Sequence, residues 1–300
     1  MAVLTSAVLL LVASASGPLP QQIKFWNARD GVGVFWHCTR SCRSELRTTI
    51  DGGRSWQFAR TAPRRGRLAI ALGGYAWFGR FASIDDGRSW RRLPSRRFLA
   101  LAFSDAARGW GVDSFVPNGT LRQQLARTSS GGRSWSRVRN PCDRSDEGLV
   151  DLSSPTPAKA WALCSGLYGL GNDAKAVYRT RDAGAHWALV NQSDFKGSGR
   201  RDVGTGLPVS GYAAGIEMSA SGHGWLWEAR GPAFSTRDAG GHWHVVRLTT
   251  ADAREALSIS FPSDDVGLML IRDRPRHEYR LDRTGNGGRG WSVARRWRWD

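Results

Sequence analysis

The sequence predicts an all-β fold, a single β-propeller of six four-stranded antiparallel blades, and three observations lead there. One frame, Ser/Thr-x-Asp-x-Gly-x-x-Trp, recurs along the chain. Two apolar positions, usually seven residues apart, precede each copy. The first member of these pairs falls at 25, 70, 103, 152, 218 and 261, a mean period of about 47 residues, within the range of propeller blades.

The frame is strict in four copies: Thr49, Asp51, Gly53 and Trp56; Ser83, Asp85, Gly87 and Trp90; Thr180, Asp182, Gly184 and Trp187; Thr236, Asp238, Gly240 and Trp243. Two looser copies, ending in Trp135 and Trp291, replace the Asp with Ser130 and Asn286. A carboxylate here can accept backbone N–H bonds inside a tight turn, and Gly supplies the positive φ such a turn needs. The Trp offers a large flat surface to bury between neighbours, with an indole N–H that needs an acceptor. The frame resembles the Asp-box repeat of β-propellers, also called the bacterial neuraminidase repeat. In those families the motif sits on the outer rim, away from the ligand-binding centre, so the resemblance implies a structural role. Ser130 and Asn286 should give weaker rather than broken boxes. His186 and His242 occupy a Ser-like place in two boxes and read as structural.

Each element follows from local pattern. The apolar pairs are Phe25/Val32, Ile70/Trp77, Phe103/Trp110, Met218/Trp225 and Phe261/Leu268; Leu152/Trp161 is read as stretched to nine by Pro155 and Pro157. Turn formers lie between the members, and the flanks alternate, as in Leu257-Ser-Ile-Ser-Phe261. That is a hairpin. The box supplies a second hairpin whose last strand begins near the Trp, giving four strands per repeat. The repeats run from about Gln21 to the C-terminus, so the propeller spans 21–300 with no linker or composition shift. The alternating end, Ala294-Arg-Arg-Trp-Arg-Trp-Asp300, should finish the sixth blade; a seventh blade pieced from both termini is the alternative. The longest excursions are Ser114–Thr120 and Asn191–Tyr212.

Residues 1–17 carry an apolar run followed by Ala13-Ser14-Ala15, which reads as a secretory signal. No Lys or Arg precedes that run, so Met1 need not be the natural start. The four cysteines agree with export, pairing as Cys38–Cys42 across a short hairpin and Cys142–Cys164 between a loop and a later strand. No Cys or His spacing suits a metal, and no cofactor motif is present. Lys occurs only at Lys24, Lys159, Lys175 and Lys196, so 39 of the 43 basic residues are Arg and the net charge is +17. That charge attracts anionic partners. Arg54, Arg88, Arg133 and Arg289 adjoin the box turn and could bind an anionic polymer, although isolated exposed charges usually do little.

The resemblance to sialidases implies three arginines on a substrate carboxylate, a Tyr nucleophile backed by Glu, and an acid/base Asp. No Arg-Ile-Pro element lies near the N-terminus, and Tyr212 with Glu217 is the one pair worth testing. Over nearly all of the mature chain, the repeats are more similar to the photosystem II assembly/stability factor family, which implies a protein-binding propeller without catalysis. The resulting expectation is an exported scaffold or binding module at the cell envelope, acting as a monomer without specific nucleic-acid binding. Its partner would be a protein or an anionic envelope polymer. A glycan-acting hydrolase or glycan-binding propeller is the alternative. A binding face is expected on polar residues after the second strands: Arg80, Asp113, Glu228, Arg230 and Arg272.

Overall fold

The computed structural model describes residues 17–38, 41–63, 66–94, 98–115, 122–142, 148–169, 172–193, 206–246 and 254–299. Residues 1–16 of the expected signal, the tip of the Ser114–Thr120 loop and 194–205 of the long insertion lie outside them. Blade 1 comprises β1 (Leu19–Phe25), β2 (Gly31–Cys38), β3 (Cys42–Thr49) and β4 (Gln57–Ala62); blade 2 comprises β5 (Leu68–Ala71), β6 (Tyr75–Phe78), β7 (Phe81–Ser83) and β8 (Arg91–Arg92). Blade 3 comprises β9 (Ala100–Phe103), β10 (Gly109–Phe115), β11 (Arg122–Thr128) and β12 (Ser136–Arg137). Blade 4 has β13 (Gly148–Ser153), β14 (Ala160–Gly169), β15 (Asn172–Thr180) and β16 (Ala188–Gln192). Blade 5 has β17 (Tyr212–Met218), β18 (Gly224–Ala229), β19 (Ala233–Thr236) and β20 (His244–Val246). Blade 6 has β21 (Arg254–Ser260), β22 (Gly267–Asp273), β23 (Glu278–Thr284) and β24 (Ser292–Arg298).

Each blade is an antiparallel sheet of four consecutive strands, and the C-terminal strand completes the sixth. The first strand of each blade lines the axis and touches the first strands of its neighbours, β21 closing onto β1. Among the described residues no strand is exchanged at that closure. Side chains do the joining instead. Ser258 and Ser260 of blade 6 accept the Ile23 and Phe25 N–H groups of blade 1 at 3.2 and 2.9 Å. Asp151 and Ser153 of blade 4 accept Ile216 and Met218 N–H of blade 5 at 3.1 and 2.8 Å. Gln22 accepts Leu68 N–H of blade 2. Gln22, Asp151 and Ser258 each follow a register shift in their strand, consistent with a bulge re-aiming a side chain at a free backbone edge.

The expected stretch of the fourth hairpin is corrected by the strand register. Ser153 lies opposite Trp161 as Glu217 lies opposite Trp225 and Ala102 opposite Trp110. The homologue of Phe25 and Met218 is therefore Ser154, and the prolines belong to an ordinary turn. A polar residue had taken the apolar mark.

The six apolar clusters are the six blade interfaces. Trp161 of blade 4, for example, packs with Met218, Phe234 and Trp243 of blade 5 and donates its indole N–H to the Ala239 carbonyl of the blade 5 box. Trp77 of blade 2 does the same to Gly131 of the blade 3 box. At Gly184 the approach is so close that a Cβ would lie 2.4 Å from the Trp110 ring of the preceding blade. The box thus locks each blade to the one before it. Truncating Trp161, 1% exposed, to Ala would cost about 3–5 kcal/mol. Both disulfides form: Cys38–Cys42 at the β2–β3 hairpin end and Cys142–Cys164, which ties the blade 3–4 connection to β14.

Candidate functional site

The boxes share one hydrogen-bond design. In the first, the Thr49 hydroxyl donates to Asp51 at 2.8 Å and accepts Gly53 N–H at 3.0 Å. Asp51 also accepts the Ser55 N–H and hydroxyl at 2.9 and 2.6 Å. Burial works to raise the Asp51 carboxyl, but these hydrogen bonds prevail and hold it at about 2. His186 and His242 replace that serine and place Nδ1 against Asp182 and Asp238. Ser130 and Asn286 still accept the backbone N–H of residues 134 and 290, each at 2.9 Å. The box Trp N–H donates to its own box Gly carbonyl in five copies, as from Trp56 to Gly53 at 2.9 Å. These side chains are spent on structure.

The axis carries two charged layers. Strand register aligns Lys24 with Glu217, and two residues earlier aligns Gln22 and Arg67 with Asp151, a separation of about 7 Å along the strands. In the first layer Lys24 of blade 1 is ion-paired with Glu217 of blade 5 and donates to the Ile259 carbonyl at 3.4 Å. In the second, Arg67 reaches across from blade 2 to the Ala214 carbonyl of the opposite blade 5 at 3.1 Å. Asp151 faces this layer. Burial pushes its carboxyl up, against the pull of the Arg67 and Lys24 charges. Each layer therefore contains one cation and one carboxylate, and a small cavity of about 30 Å³ lies among Gln22, Lys24, Arg67 and Asp151.

Beyond the Lys24–Glu217 layer, on the box side, the channel widens into a cavity of about 300 Å³. All six blades line it: residues 24–26, 68–72, 101–104, 152–155, 217–220 and 261–263. Its wall is mixed, with Leu72 75% exposed and Phe103, Met218 and Phe261 behind it, and with Lys24, Glu217 and five serines among the lining residues. Glu217 also accepts Phe261 N–H at 3.4 Å, so both its oxygens are engaged.

The five residues expected on a binding face lie on four blades and in different settings. Arg80 lies half-buried in the β6–β7 turn, where its carbonyl accepts Leu93 N–H. Asp113 sits within β10 opposite Gln124. Glu228 has no exposed surface at all. It ion-pairs with the equally buried Lys175 at 2.8 Å and accepts the Ser210 hydroxyl. Burial raises its carboxyl despite the Lys175 ammonium. Arg230 is exposed in a turn at φ 61, and Arg272 grips both oxygens of Glu255 at 2.7 and 2.8 Å. The face was inferred from position after the second strand, and the second strand runs inside the blade.

The pair Tyr212 and Glu217 is also separated. They stand at opposite ends of β17, five residues and so about 17 Å apart, with Tyr212 exposed and Glu217 on the axis. A nucleophile and its supporting carboxylate need hydrogen-bond reach. Sequence reasoning passed over Lys24, Arg67 and Asp151. The signal available for two of them was a charge inside a short apolar run, Ile23-Lys-Phe25 and Val150-Asp-Leu152. Among the described residues no group of three or more potential metal ligands occurs, and no helix is long and apolar enough to cross a membrane.

No family model and no curated protein matches the chain. Solved structures do. YCF48 from Cyanidioschyzon merolae is 17% identical, with 94% of this chain and 86% of that one covered and a TM-score of 0.49. The β-propeller domain of the Trilobed protease from Pyrococcus furiosus, described as having an open velcro topology, is 8% identical with 93% and 98% covered and a TM-score of 0.55. The Hadza microbial sialidase Hz136 is 14% identical, with 92% of this chain but 57% of its own covered and a TM-score of 0.43. At these identities the likeness is one of fold, a propeller.

Proposed function

We propose that this chain is an extracytoplasmic binding propeller without catalytic activity, which captures a protein segment at the box-side mouth of its channel. The observation that carries the reading is the 300 Å³ cavity, bounded by every blade, with apolar and hydroxyl side chains in its wall and a matched ion pair as its floor. A depression of that size and lining accepts one projecting apolar side chain or a chain end, and rigid surrounding strands keep it formed before the partner arrives. Glu217 is held by Lys24 and by a backbone N–H, which suits a fixed wall better than a proton-transfer group. Two disulfides fit an oxidising compartment, which supports export to the cell envelope.

The test is capture of envelope proteins by the purified propeller, compared with Leu72→Glu, which puts a charge into the mouth from an exposed position. Loss of a captured protein in the variant, with an unchanged melting temperature, supports the reading. A panel of sialosides and wall polysaccharides addresses the enzymatic alternative. Turnover of any of them, abolished by Glu217→Gln, would replace binding with hydrolysis.

A further inference from the structure

The net charge of +17 is unevenly placed around the ring. Four segments run from the box arginine through the outer strand: residues 54–62 in blade 1, 88–94 in blade 2, 133–139 in blade 3 and 289–299 in blade 6. Together they hold twelve arginines and no Asp or Glu. The matching stretches of blades 4 and 5, residues 185–192 and 241–248, hold a single Arg, Arg247, and no Lys. Blades 6, 1, 2 and 3 are consecutive across the ring closure, where Arg295 donates to the Arg54 carbonyl and Trp297 lies 6.2 Å from Phe35. The arginines therefore form one arc over four of the six blades. Ten of the twelve are exposed; Arg60 and Arg295 are half-buried. Among the described residues, ion pairs in the arc involve Arg88 with Asp86, at 3.7 Å, and Arg296 with Glu278.

Charged residues on outer strands often serve to block edge-to-edge pairing. That role would apply to all six edges, yet blade 4 lacks it and blade 5 has a single Arg. A single exposed charge also does little, whereas many like charges on one wall sum to a potential that concentrates a polyanion. The wall is convex and runs about two-thirds of the way round. A flat bilayer or a folded protein touches one or two blades of such a surface, while a flexible chain follows it. Guanidinium groups pair with carboxylate in bidentate fashion, and the disulfides point to a compartment outside the cytoplasm, away from the cell's nucleic acids.

We propose that the outer wall of blades 6, 1, 2 and 3 binds a flexible acidic polysaccharide along its repeating carboxylates. This surface is distinct from the channel mouth and stands or falls independently of it. The experiment uses the purified chain with polygalacturonate as probe, over a range of salt. Arg91→Gln, Arg92→Gln and Arg137→Gln are combined in one variant. Arg181→Gln, Arg237→Gln and Arg276→Gln form a control of equal net charge outside the arc. All six positions are exposed, and melting temperatures confirm that both variants fold. The arc variant should bind about tenfold more weakly at low salt, and its log–log salt slope should fall by about 2, roughly 0.7 per lost contact on a flexible polyanion. The control should stay within about twofold of the parent. Equal weakening in both variants, or none in the arc variant, would overturn the proposal. So would preferential binding of phosphatidylglycerol vesicles or oligo(dT) over polygalacturonate at the same salt.

Discussion

Among the described residues two lysine–glutamate pairs occur, and the same chemistry has opposite consequences in the two places. Lys24 and Glu217 meet on the axis with side chains 17% and 20% exposed. Lys175 and Glu228 meet at the seam of blades 4 and 5 with neither exposed. The buried ammonium also has the Asp173 carboxylate at 3.0 Å and the carbonyls of Asp173, Pro208 and Ser210 around it. It thus ties β15, the chain entering blade 5 and β18 into one knot. Complete burial with five oxygens makes an anchor; partial exposure with a single carboxylate leaves the axial pair open to solvent.

The largest effect expected from breaking the contrast is at the anchor. Lys175→Met leaves two buried carboxylates facing each other without a counter-ion, and should cost about 3–5 kcal/mol. Denaturant unfolding reads this directly. Adding Asp173→Asn and Glu228→Gln to Lys175→Met should recover part of the loss, because a neutral cluster needs no counter-ion. A loss under about 1 kcal/mol from Lys175→Met alone would show that the knot is not an anchor.

The next effect is in the pH dependence. The Glu228 carboxyl is raised from its ordinary 4.5, so the folded protein holds this proton more tightly than the unfolded chain. Its contribution is therefore fullest below about 4.5 and is lost as pH rises through the folded value. Glu228→Gln should flatten that decline in stability, with amide oxygen still accepting from Lys175. An unchanged profile in the variant would assign the decline elsewhere.

The boxes act with the opposite sign. Asp51 and Asp238 are held at about 2, where burial is outweighed by the bonds from Ser55 and His242, so their contribution is present above about 3.8 and is lost as pH falls towards 2. Asp51→Ser copies the box that already works at Ser130. It should cost about 1 kcal/mol at neutral pH and less near pH 2, measured as the gap between parent and variant melting temperatures. A gap that widens in acid would contradict the box geometry.

The blades were legible because their instructions are local. A turn that requires Asp and Gly, a Trp beside it and an alternating strand before it all lie within one stretch of chain. The seam polar groups were not. Ser154 sits where Phe25 and Met218 sit in other blades, and only strand register shows the equivalence. Asp151 looks like a stray charge in an apolar run until blade 5 offers it a backbone N–H. Glu228 looked accessible because a loop follows it, yet Ser210 and Lys175, brought from other stretches of the chain, enclose it. Contacts between blades are set by closing the ring, and no short window of sequence contains them.

The smallest stability effect, and the sharpest separation of anchor from site, belongs to Lys24. Its pair is reached by solvent, so water replaces much of what Glu217 supplies, and Lys24→Met should cost no more than about 1 kcal/mol. Seam bonds such as Ser260 to Phe25 N–H do not depend on its ammonium. What changes is the cavity floor: the variant leaves a carboxylate there without its cation, at the point where a captured segment would end. Capture of a partner through the channel mouth should then weaken by tenfold or more if that segment is anionic or neutral, while the melting temperature barely moves. Lys175→Met should show the reverse pattern at temperatures where it remains folded, unstable but still able to capture. If both variants lose stability and capture in parallel, the two pairs are equivalent parts of one scaffold, and the axis is no more a site than the seam.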